Sequence, residues 1–174
     1  MNDVDDRDLL TGLANAGMAR RQLGEWLQAD DARVHALLLV LGRFDSVNLA
    51  HGADAGDFAL AEVARRITHF GQDEFLPGQW FAARIEGGKF LLATREECSR
   101  ERWQFLAEAL ADGIAQPLGG ITVALPQLWP HVALIRALAG DDPAGVLGRL
   151  SDAQIALRGE PGRRIVWIDR EDTP

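Results

Sequence analysis

The spacing of apolar residues switches along the chain between a helical and a strand-like pattern. Leu13, Met18, Leu23, Trp26 and Leu27 fall at roughly helical intervals, and Asp30 and Asp31 end that segment. His35–Phe44 (HALLLVLGRF) is a short apolar run without polar alternation, which predicts a strand buried on both faces. Over Asp57–Phe70, Phe58, Leu60, Ala61, Val63, Ala64 and Ile67 share one broad face, with Glu62, Arg65 and Arg66 mostly opposite. That pattern predicts an amphipathic helix ending at Gly71, with Asp57 suited to cap its start. Gln79–Ile85 and Phe90–Thr94 flank Glu86-Gly87-Gly88-Lys89, the arrangement of two strands around a tight turn. A helix over Glu101–Ala111, a strand over Ile121–Leu125, a helix over Pro143–Arg158 and a strand over Arg164–Ile168 complete the reading.

This order predicts an α/β (α+β) fold, a mixed central sheet of about five strands with helices on its faces. The 174 residues suit one domain, 1–174, able to bury a core without staples. Net charge is −8, which gives no electrostatic reason to bind nucleic acid or an anionic membrane surface. Gly113–Ile135 lacks Asp, Glu, Lys and Arg, but Pro117, Gly119, Gly120, Pro126 and Pro130 interrupt it, so no membrane insertion is expected. The acidic N-terminus has no apolar stretch behind it, and Cys98 is the one cysteine, so the expected location is cytoplasmic.

Several segments, in order, resemble one known family. Asp8-Leu9-Leu10-Thr11-Gly12-Leu13-Ala14-Asn15 is similar to the D-x-L-T-G-L-x-N opening of GGDEF domains, the bacterial diguanylate cyclases. Phe44-Asp45-Ser46-Val47-Asn48, Gly52 and Gly56-Asp57 resemble that family's F-K-x-I-N-D…G-H…G-D segment. Arg84-Ile85-Glu86-Gly87-Gly88-Lys89-Phe90 stands where the family has R-x-G-G-D-E-F. Ile121-Thr122-Val123 and Ser151-Asp152…Gly162-Arg163 fall at its later strand and its A-D…G-R segment. A second near-match, Gly71-Gln72-Asp73-Glu74-Phe75, has no strand-like run before it and reads as a helix exit and loop.

The resemblance implies a nucleotidyl-cyclase-like fold with the signature on a hairpin, and a reaction joining two GTP molecules around divalent metal. Mg²⁺ is a hard cation that takes carboxylate and phosphate oxygens. The family's two acidic positions on the first strand align with Val40 and Gly42, and the acidic pair of its signature with Gly88 and Lys89. None of these side chains can hold a metal ion, and Lys89 brings a positive charge to the place. The family's asparagine and aspartate at the guanine edge align with Asn48 and Asp57, and its late arginine with Arg163, so these three are the candidate nucleotide-binding residues. An amide and a carboxylate can read guanine's edge, although Asp57 as a helix cap and Asn48 in a turn explain the same residues. A lysine used by the family aligns with Gly159, and its R-x-x-D product site aligns with Pro77–Trp80 (PGQW), which lacks both charges.

Other chemistries have less support. His35, His51, His69 and His131 are scattered, no H-E-x-x-H or G-x-x-x-x-G-K-[ST] pattern occurs, and Cys98 lies among Glu96, Glu97 and Glu101. Trp80 and Trp129 are the tryptophans expected to be most exposed. The expectation is therefore a degenerate GGDEF-like domain without catalytic residues, metal or other cofactor. It would act as a regulatory module on a protein partner or adjacent signalling domain, or as a homodimer, with GTP as a ligand. The alternative is an active diguanylate cyclase whose metal ligands come from elsewhere, such as Asp73 and Glu74.

Overall fold

The structure is a computed structural model that describes residues 6–42, 52–116, 129–157 and 165–168. Among the described residues nine elements follow one another: α1 (Ala16–Leu27), β1 (Arg33–Gly42), α2 (Ala53–Glu74), β2 (Trp80–Glu86), β3 (Lys89–Thr94), α3 (Arg100–Ile114), β4 (Trp129–Leu138), α4 (Pro143–Leu157) and β5 (Ile165–Trp167). The five strands form one sheet in the order β2-β3-β1-β4-β5. Neighbouring strands are antiparallel except β4 and β5, which are parallel and joined through α4. The sheet is mixed, as the pattern of elements requires.

β1 is the central strand, and its apolar run is buried from Val34 to Leu41. Alternate residues serve two cores. Leu37, Leu39 and Leu41 face Leu60, Val63, Ile67, Trp103, Leu106 and Leu110 of α2 and α3. Ala36, Leu38 and Val40 face Leu23, Trp26, Val146 and Leu150 of α1 and α4. Burying a side chain such as Leu37 or Leu39 removes its apolar surface from water, worth about 1.5–3 kcal/mol each. A strand covered on both sides has no use for polar alternation, which is why its sequence shows none.

His35 is the polar residue within that run. It is 2% exposed, and its ring lies 5.6 Å from the Trp103 ring. Neither ring nitrogen finds a hydrogen-bond partner among the described residues. Burial first, and the Arg136 guanidinium second, push its pKa down from 6.5 to about 4. His35 and Arg136 are direct neighbours across the β1–β4 ladder. The imidazole is therefore neutral at pH 7.

Four sequence expectations need correction. The second helix begins at Ala53, not at Asp57, so Asp57 lies a turn inside it. Its N-cap is Gly52, at φ +87°, a left-handed conformation that favours glycine, and not Asp57. The same helix runs past Gly71 to Glu74. Gly71 is not a terminator: a Cβ there would meet the Trp80 ring at 2.3 Å, so its missing side chain makes room for that ring. Trp80 is accordingly half-buried, 6.5 Å from the Phe75 ring, and only Trp129 of the expected pair is exposed. Finally, β4 covers Trp129–Leu138, where the sequence pattern indicated no strand. The strand expected at Ile121–Leu125 lies outside the described residues.

Candidate functional site

The hairpin forms where the sequence places it. Glycine at residue 87 takes φ +47°, and the ladder between β2 and β3 shifts register between Arg84 and Glu86. The shift is a local irregularity of the kind that re-aims a turn. One interaction ties the turn to β1 and another braces it within the hairpin. The Gly88 carbonyl accepts from the Leu41 N–H at 3.0 Å, and Arg84 Nε donates to the Gly87 carbonyl at 2.9 Å.

Arg84 also joins the hairpin to the N-terminal turn. Its Nη1 donates to Asp8 Oδ1 at 3.1 Å and to Oδ2 at 3.3 Å. Asp8 Oδ2 in turn accepts from the Thr11 amide at 2.9 Å and from the Thr11 hydroxyl at 2.7 Å. Burial raises the Asp8 pKa, but the Thr11 hydrogen bonds and the Arg84 guanidinium outweigh it and hold the carboxyl below its ordinary 3.8. Alongside, the Ala14 N–H donates to the Ala82 carbonyl and its carbonyl accepts from the Arg84 N–H. Asn15 caps α1 through its side-chain oxygen, which accepts from the Met18 amide at 2.9 Å. The D-x-L-T-G-L-x-N segment thus fastens the start of the chain to the edge strand that carries the signature.

The signature residues separate into two faces. Phe90 is 1% exposed, pairs with Leu39 and belongs to the core under α2 and α3. Lys89 pairs with Val40 and faces the opposite side. Val40 is also paired with His131 of β4 and Lys89 with Glu86 of β2, so Glu86, Lys89, Val40 and His131 form one row across four strands. Lys89 Nζ donates to Glu86 Oε1 at 3.1 Å; the lysine side chain is 25% exposed and the glutamate 70%. His131 stands alone in the sequence, where no pattern marks β4, and the ladder register brings it into the row.

Among the described residues, those at these positions do not fit a divalent cation. Val40 is an apolar side chain 4% exposed. A Cβ at Gly42 would lie 3.0 Å from the Trp129 carbonyl and 3.3 Å from His131 Nε2, so a carboxylate there would have to displace one of them. Among the described residues no group of three His, Cys, Asp or Glu is placed to hold a metal ion. The row carries an ammonium, an imidazole and one carboxylate, Glu86, already paired with that ammonium, where several hard oxygen donors are needed.

Of the candidate nucleotide-binding residues, Asp57 has an exposed side chain on α2, while Asn48 and Arg163 lie outside the described residues. Asp73 and Glu74 are in the last turn of α2, beside the start of β2, and Glu74 is paired with Arg102 at 3.2 Å. The turn is at the other end of β2, roughly 20 Å away along a seven-residue strand. A cleft of about 440 Å³ lies under the N-terminal turn, lined by Arg7, Leu13, Met18, Thr68, Trp80 and Phe81 among others, and no signature residue lines it. Burial, with Glu96, pushes the Cys98 thiol pKa up against the opposing Arg102, so it is a poor nucleophile.

The fold and the two joined motifs define the class. The family model described as "Diguanylate cyclase, GGDEF domain" matches residues 5–126, and the chain belongs to the GGDEF family. No curated protein matches the chain. Among solved structures it is similar to the GGDEF domain of DgcB from Caulobacter crescentus in complex with c-di-GMP, at 20% identity and TM-score 0.79, covering 96% of this chain and 98% of that one. It is similar to the FimX GGDEF domain from Pseudomonas aeruginosa at 15% identity and TM-score 0.79, covering 92% and 98%. It is also similar to diguanylate cyclase SiaD in complex with its activator SiaC from Pseudomonas aeruginosa, at 20% identity and TM-score 0.80. There it covers 95% of this chain but only 64% of SiaD. Among the described residues no helix is long and apolar enough to cross a membrane.

Proposed function

We propose that this chain is a catalytically inactive GGDEF domain that works by binding, as a regulatory module in cyclic di-GMP signalling. The observation that carries the reading is the row Lys89–Val40–His131, with crowded Gly42 beside it, in which Val40, Gly42 and Lys89 stand where the family resemblance implies carboxylates. Phosphoryl transfer between two GTP molecules is positioning plus neutralisation of charge on the phosphates. An ammonium can contact a phosphate oxygen, but it cannot bridge phosphates and activate a 3′-hydroxyl as a divalent ion does. The Asp73–Glu74 pair does not rescue catalysis, because it sits at the wrong end of β2 and Glu74 already has a cationic partner.

The domain, 1–174, keeps the scaffold and with it the capacity to dock a protein partner, an adjacent signalling domain or a second copy. The activator complex of SiaD supports a protein partner. Guanine-nucleotide binding through Asn48, Asp57 and Arg163 is retained in this reading. Incubation with GTP and Mg²⁺ or Mn²⁺ is expected to give no cyclic di-GMP above a control without protein. Product well above that control ends the proposal.

A further inference from the structure

Of the 18 Lys and Arg residues in the chain, Lys89 is the only lysine. Everywhere else the chain uses a planar guanidinium. On the signature turn it uses a compact ammonium with three N–H donors, one of them given to Glu86 at 3.1 Å. Glu86 is mostly exposed, so this ion pair is worth little and yields readily to a stronger anion. Arg84, the other cation of the hairpin, is committed to Asp8 and the Gly87 carbonyl. Lys89 is therefore the charge at the turn with donors to spare. It stands in line with apolar Val40 and with His131, and the carboxylate in that row is Glu86, its direct partner across the β2–β3 ladder.

We propose that the hairpin end of the sheet binds phosphate groups directly through the Lys89 ammonium, without a divalent cation, so that a nucleoside triphosphate is recognised free of metal. This rests on the reading of the site as one without metal. Mg²⁺ then acts as a competitor, because it sequesters the phosphate oxygens that Lys89 would contact.

The uniqueness of Lys89 supplies the assay. An amine-reactive ester labels only Lys89 and the chain's terminal amine, and mass spectrometry of the Lys89 peptide reads its rate of acylation. In EDTA, GTP and inorganic tripolyphosphate are both expected to slow that rate severalfold, guanosine is not, and added Mg²⁺ is expected to weaken the protection. By calorimetry in EDTA, Lys89→Met is expected to lower GTP affinity about tenfold or more, the scale of one charge-assisted hydrogen bond. Binding that requires Mg²⁺, affinity unchanged in Lys89→Met, or no protection by either polyphosphate overturns the inference. The absence of GTP binding leaves the inactive-domain reading standing, since that reading falls only if cyclic di-GMP is made.

Discussion

The triple variant Val40→Asp, Gly88→Asp, Lys89→Glu is expected to unfold about 3–5 kcal/mol more easily than wild type in EDTA and to recover much of that loss in Mn²⁺. Val40 is 4% exposed, on the face that packs under α1 and α4, and a carboxylate there is a buried charge. Lys89→Glu removes the one cation in line with it and sets a second carboxylate opposite, while Gly88→Asp adds a third acidic group beside both. Without a metal these charges repel in a desolvated place. A divalent ion binds only the folded arrangement, and at about a hundred times its Kd returns about 2.7 kcal/mol. Gly42 is left unchanged because a side chain there strikes the Trp129 carbonyl. Urea unfolding with EDTA or Mn²⁺ reads both effects, and wild type is expected to respond to neither. A variant as stable as wild type in EDTA, or a wild type stabilised by Mn²⁺, contradicts this account of the row.

The second large effect concerns His35. Its folded pKa of about 4 lies below the ordinary 6.5, so the unfolded chain takes up a proton that the folded chain refuses. The contribution of the neutral imidazole is complete above pH 6.5 and is lost as pH falls from there to about 4. The 2% exposure of the residue means that little solvent screening reduces it, and the total is about 3 kcal/mol. The Asp8 carboxyl, held below 3.8, gives up its own stabilisation only at lower pH, so the two windows separate. In His35→Leu the loss between pH 6.5 and about 5, above the range in which the Glu62 and Asp8 carboxyls give up their stabilisation, is expected to vanish. Equal slopes in the two proteins over that interval refute the assignment.

How much of this was legible in the sequence depended on whether a single local cause decided the structure. The buried run of β1 and the glycine turn between β2 and β3 each follow from composition within a few residues, and both stand where the pattern puts them. The start of α2 was misplaced because a positive-φ glycine at residue 52 sets the helix entrance, and Ala53–Gly56 shows no apolar stripe to announce it. β4 escaped notice because Trp129-Pro130 looks like an exposed loop. Proline is nevertheless tolerated at the beginning of a strand, and the buried stretch from Val132 to Ile135 follows directly.

The site was half legible. Val40, Gly42, Gly88 and Lys89 could be placed through the family resemblance, whereas the pairing of Lys89 with Val40 comes from the ladder alone. His131 could not be added, because its position in the row depends on a strand that the pattern did not reveal. Nor could the tie between Asp8 and Arg84. The two residues belong to separate motifs 76 positions apart, and nothing local signals that one holds the other. A carboxylate followed three residues later by Thr11, which locks it in a turn, is a signal for a fixed acceptor, not for its distant partner.

The central claim is that the hairpin end of this sheet presents an ammonium where the family resemblance implies metal. Crystals of the full chain grown with GTP and Mn²⁺ test it directly through the anomalous signal of manganese. The account predicts no manganese peak between β1 and the turn at Gly87–Lys89, with any phosphate density lying against Lys89 Nζ. A manganese ion seated there and bridging the triphosphate would contradict it.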